Sequence, residues 1–190
     1  NLISKNYIEI NDLIDLKDHK IKASYADKKL SLEGKGQVKF QNKYEFIEYE
    51  LINEGSDLDL VSNIELSELD IKNQNLIREY LPKTKDILNL KDHKIKLNYK
   101  DNILSLKGSG KIKLDKEFNK IGYFFSTKNK RYNFETDLEI NDTPLKIDFI
   151  NYEKDKNLNS QLKINGNYNK KFRLDLKKIS IFSKNNRISI

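Results

Sequence analysis

His19 and His93 are the only histidines in the 190 residues, and each stands in the hexapeptide Lys-Asp-His-Lys-Ile-Lys. Histidine beside aspartate invites a metal-binding or proton-transfer reading. A zinc site needs three or four ligands, and with no cysteine in the chain only carboxylates could complete one. A turn or strand-start residue, copied by an internal duplication, accounts for the pair better. The carboxylates alternate with lysines instead of converging as an acid–base pair. Ser109, in Lys-Gly-Ser-Gly-Lys, is the nearest candidate nucleophile, but the matching position elsewhere in the chain is Lys35. The Gly-x-Gly pairs, Gly34/Gly36 and Gly108/Gly110, lack the following helix start and GK[ST] of a phosphate loop. These residues indicate no catalysis, no metal and no cofactor.

The elements that carry them explain their spacing. Residues 16–49 recur at 90–123, 74 residues later and without a gap, with 17 identities in 34 positions. A period of this length marks a repeat architecture whose units stack on their neighbours. Within each copy, apolar residues alternate with polar ones. Leu30, Leu32, Gly34, Gly36, Val38 and Phe40 share one face, against Ser31, Glu33, Lys35, Gln37 and Lys39. The second copy sets Leu104, Leu106, Gly108, Gly110, Ile112 and Leu114 against Ser105, Lys107, Ser109, Lys111 and Lys113. Period two with one wet face predicts antiparallel strands.

Further strands are expected near 44–52, 57–66, 69–72, 118–126, 131–140, 144–152, 158–168, 171–177, 178–183 and 187–190, joined by tight polar turns such as Ala26-Asp27-Lys28 and Lys100-Asp101-Asn102. The Gly-x-Gly pairs predict a bend, a bulge or a close approach, and so a strand able to curl. One segment departs from the pattern: Leu76, Ile77, Tyr80 and Leu81 have helical spacing ahead of Pro82. This predicts a short helix over 74–81, packed over one end of the sheet. The organisation expected is a first repeat over 1–80, a second over 81–152 and the start of a further β segment over 153–190, all in one elongated sheet.

Composition bounds the rest. The chain is 37% hydrophobic and 34% charged, low for a two-sided core, while 10 Tyr and 9 Phe argue against disorder. The net charge of +7 divides unevenly: residues 1–75 hold 10 basic and 15 acidic residues, residues 76–190 hold 26 and 14. The signs interleave along the strands, which describes a solvated face better than a nucleic-acid site. No run reaches the roughly 18 apolar residues of a membrane span. The absence of Met, and the amphipathic runs at both ends, read as an interior piece of a longer protein.

Three segments together resemble the AsmA-like family, closest to its YhdP branch. They are LDIKNQNLIREYLPKTKDILNLKDHKIK, the paired LSLEGKGQVKF and LSLKGSGKIKL, and the strand transition PLKIDFINY ending at Tyr152. The resemblance implies a long, curled antiparallel sheet forming an open groove in the periplasm of a Gram-negative bacterium, in a parent protein anchored in the inner membrane. It implies non-catalytic phospholipid transport between inner and outer membranes, with acyl chains inside and headgroups in water. The partners implied are phospholipid acyl chains and flanking repeats of the same chain. Membrane contact would come through parts outside this segment. The apolar positions Leu30, Leu32, Val38, Phe40, Leu104, Leu106, Ile112, Leu114, Tyr123, Phe125, Phe134, Leu138 and Ile140 would line the groove. A strand of about ten residues, roughly 33 Å long, is long enough to wrap a lipid's chains. The alternative is a structural or adhesion β-solenoid that closes its own core and binds another protein along an edge.

Overall fold

The computed structural model describes residues 15–72, 81, 84–128, 131–141, 143–148, 151–156, 158–169, 174–183 and 186–189. Thirteen strands fill most of them: β1 (Leu16–Ala26), β2 (Lys29–Phe40), β3 (Lys43–Glu54), β4 (Asp57–Lys72), β5 (Ile87–Lys100), β6 (Ile103–Lys113), β7 (Phe118–Lys128), β8 (Arg131–Ile140), β9 (Leu145–Ile147), β10 (Tyr152–Lys154), β11 (Ser160–Asn169), β12 (Leu174–Ser183) and β13 (Asn186–Ser189). Eleven form one antiparallel sheet in chain order, from β1 to β8 and on to β11, β12 and β13. Among the described residues the sheet is not closed, and β1 and β13 lie at its two edges. The two sequence copies occupy β1–β3 and β5–β7, and the sheet runs through the expected boundary at 80, since β4 pairs with β5 from Leu60–Tyr99 to Lys72–Ile87.

The turns follow from residue chemistry. Asp27-Lys28 and Asp101-Asn102 both have positive φ at the two central positions. That is the type I′ geometry whose twist suits a two-residue hairpin. The alternation then aligns apolar residues in rows across strands. One row runs Ala23, Leu32, Leu51, Leu60, Tyr99, Leu104, Thr127, Tyr132 and Tyr168. A second runs Leu97, Leu106, Phe125 and Phe134 to Gly166.

Three expectations change. The segments 57–66 and 69–72 are one strand, β4. Residues 174–183 are likewise one strand, β12, carrying a register shift opposite Asn165/Gly166 where a break near 177 was expected. The stretch 144–152 is not a strand of the large sheet. Its first part, β9, pairs instead with β10 as a separate two-stranded sheet that spans the expected boundary at 152. The reason is burial: Leu145 and Ile147 are 2% and 3% exposed, packed in a cluster with Ile112, Leu138, Ile140, Leu162 and Ile181. Asn151, at φ 49, closes the turn, its N–H donating to the Asp148 carbonyl at 3.0 Å. The apolar face therefore has a second layer over one end. The expected helix over 74–81 lies outside the described residues apart from Leu81, which is buried in the same cluster.

Candidate functional site

Each repeated hexapeptide contains a bulge. Pairing of β1 with β2 shifts register between Lys17 and Lys20, and that of β5 with β6 between Lys91 and Lys94. Asp18 and Asp92 supply the extra residue, at φ 55 and 56. Aspartate tolerates this left-handed conformation better than most side chains do. The bulge turns the following histidine onto the apolar face, where it lies over a glycine of the next strand: His19 over Gly36, His93 over Gly110. The other glycine of each pair is covered from the opposite side by a tyrosine, Tyr49 over Gly34 and Tyr123 over Gly108. What approaches these glycines is therefore a pair of rings, which leave no room for a Cβ.

The second copy is the tighter one. His93 is 1% exposed, with its ring centroid 5.7 Å from that of Tyr123. Its Nε2 lies 3.0 Å from the Lys111 carbonyl, which can only accept, so Nε2 carries the proton. Nδ1 then accepts from the Tyr123 hydroxyl at 3.0 Å. In the first copy His19 Nε2 donates to the Gln37 carbonyl at 2.9 Å, but Nδ1 is buried without a partner. A histidine locked between a carbonyl and a tyrosine hydroxyl is a structural pin. Among the described residues no group of three or more His, Asp or Glu converges as a metal site would.

Burial raises the Tyr123 phenol above its ordinary value near 10. The neutral phenol is thus the native form, so its stabilisation is complete below about pH 10 and is lost as pH rises through the raised value. Urea midpoints should fall between about pH 9 and about pH 11, and the fall should be shallower in Tyr123→Phe. Equal alkaline slopes in the two proteins would show that Tyr123 does not carry the effect.

Glu45 is the one buried carboxylate among the described residues. It accepts from the Ser67 amide at 2.8 Å and the Ser67 hydroxyl at 2.6 Å, just beyond the last β3–β4 pair, Phe46–Glu65. Its counterpart 74 residues on is Asn119, whose Oδ1 accepts from the Asn141 amide at 3.1 Å. Both cap backbone donors that the ladder leaves open, and replacement of the acid by an amide argues against acid–base work.

The candidate groove residues divide by depth. Leu30, Leu32, Phe40, Leu104, Leu106, Tyr123, Phe125 and Phe134 are half-buried. Val38, Ile112, Leu114, Leu138 and Ile140 are buried at 8% exposure or less. Of these, Ile112, Leu114, Leu138 and Ile140 belong to the cluster that includes the β9–β10 hairpin, and so offer a ligand almost no surface. The sequence pattern could not separate the two sets, because both sit in phase on the same face.

No family model, curated protein or solved structure matches this chain. The functional reading therefore rests on the geometry of the faces. The polar face carries exposed ion pairs such as Lys100–Asp59 at 2.8 Å and Lys163–Asp137 at 2.9 Å, screened by solvent and so of little weight in stability. A depression of about 550 Å³ lies on that face, lined by residues that include Lys107, Phe124, Glu135, Asp137, Lys163, Phe182 and Arg187. Its cations and carboxylates alternate, and Asp137 is held by both Lys163 and Gln161, a solvated arrangement with no free acid pair. Among the described residues no helix is long and apolar enough to cross a membrane.

Proposed function

We propose that this chain is a non-catalytic segment of a lipid-conducting protein of the AsmA-like kind, in which the apolar face of the sheet holds phospholipid acyl chains on their way between two membranes. The observation that carries the proposal is the row Leu97, Leu106, Phe125 and Phe134, half-buried and in register across four strands at the end of the sheet away from the hairpin. An apolar row of this kind loses free energy to water at about 25 cal/mol per Å² until something apolar covers it. From Leu104 to Gly108 the strand runs about 13 Å at roughly 3.3 Å per residue. That is close to the depth of one leaflet, about 15 Å. Curling of the sheet around the chains, and continuation of the groove into flanking repeats in the periplasm, complete the proposal. A structural or adhesion solenoid would need a filled interior, which this open sheet gives no reason to favour.

A photo-crosslinking residue at Leu106 or Phe134, in the full parent chain in Gram-negative cells, should form adducts with phospholipid. The same residue at Lys107, on the polar face, should not. Lipid adducts at Lys107 alone, or only protein adducts at Leu106 and Phe134, would sink the proposal.

A further inference from the structure

The two copies differ in what lies beside their first strand. β5 is paired on one side with β6 and on the other with β4, whereas among the described residues nothing pairs with the outer side of β1. The consequence shows position by position. Ile95 and Tyr99 are half-buried, while their counterparts Ile21 and Tyr25 are 58% and 72% exposed. His93 is buried opposite Leu66 of β4, while His19 is only half-buried. The polar face tells the same story. On β5, Lys94 faces Glu65 and Lys91 faces Glu68 in register, with Lys94 and Glu65 3.7 Å apart. Their counterparts on β1, Lys20 and Lys17, have no strand beyond them among the described residues.

We propose that the outer edge of β1 is a receptor for one added antiparallel strand with the chemistry of β4. Such a strand has apolar residues at alternate positions to cover Ile21 and Tyr25, a leucine over His19, and carboxylates facing Lys20 and Lys17. An edge repeating β5's sequence at Lys-Asp-His-Lys-Ile-Lys, with the same bulge, presents the same donors, acceptors and side-chain row that β4 already satisfies. Strand addition of this type takes its affinity from main-chain hydrogen bonds and its specificity from alternate side chains. The site does not depend on lipid binding, since it uses the edge of the sheet and not the open apolar row.

The test uses the whole chain and a labelled peptide with the sequence of residues 57–72. Saturable binding is expected, with slowed amide exchange over residues 16–26. A peptide carrying lysine at the two positions that face Lys20 and Lys17 should bind roughly tenfold more weakly, because each cross-strand charge pair is worth up to about a factor of five. The chain variant Lys17→Glu/Lys20→Glu, changed only at exposed positions, should restore binding of that swapped peptide. Absence of saturable binding, protection at residues 186–189 instead, or indifference to the charge swap would each overturn the proposal.

Discussion

Replacing Gly110 by alanine will destabilise the sheet by about 3 kcal/mol, although alanine normally gains about 0.5–1 kcal/mol over glycine inside a strand. The sign reverses because the new Cβ would fall on the His93 ring, well inside van der Waals contact. The ring has no free direction in which to move. Its Nε2 is held by the Lys111 carbonyl, its Nδ1 by the Tyr123 hydroxyl, and it is almost wholly buried. Displacing it breaks both bonds and strands buried partners, at about 1–3 kcal/mol for each group left unmade. His93→Ala removes the same interactions and should cost about 2–4 kcal/mol. The double variant Gly110→Ala/His93→Ala should then cost no more than His93→Ala alone, because the clash has lost its second partner. Urea denaturation of the four proteins gives the coupling directly. Simple additivity of the two single costs would refute the slot. In the first copy a Cβ on Gly36 would meet the His19 Cα as well as its ring, so turning the ring does not relieve the clash and Gly36→Ala should likewise cost about 1–3 kcal/mol.

The slot shows where reading the sequence succeeds and where it stops. Alternation and hairpin turns are local, so β2, β6 and their neighbours follow from period two and from pairs such as Asp101-Asn102. The bulge was also within reach. Leu90 and Ile95 lie five apart yet share the inner face, and strict alternation forbids that unless one residue between them is extra. The partnership of Gly108 with Tyr123 and of Gly110 with His93 was out of reach, because it joins residues on different strands and depends on register. The glycines alone suggested a curling strand. The β9–β10 hairpin was hidden for another reason. Leu145, Ile147 and Tyr152 fit a strand pattern equally well in the large sheet or folded across it, and only their burial against Ile140 and Ile181 distinguishes the two.

That hairpin divides the apolar face into a part that stabilises and a part left open, and the two should respond differently to substitution. Leu145→Ala removes a side chain that is 2% exposed, in a cluster with Ile140 at 0%, and should cost about 2–5 kcal/mol. Leu106→Ala acts on a half-buried residue in the open row, with solvent already on one side, and should cost about 1 kcal/mol. Lipid capture should show the reverse order. With a crosslinker at Phe134, Leu106→Asp places a charge two strands away in the same row, where an acyl chain would have to lie against it. Adduct yield should fall at least roughly tenfold, since burying an unpaired carboxylate costs several kcal/mol. Leu145→Ala, measured where the protein remains folded, should leave the yield unchanged. Equal loss of capture in both variants would mean that stability, and not contact with lipid, sets the signal. Loss in Leu145→Ala alone would move the occupied region to the hairpin end and overturn the division of the face.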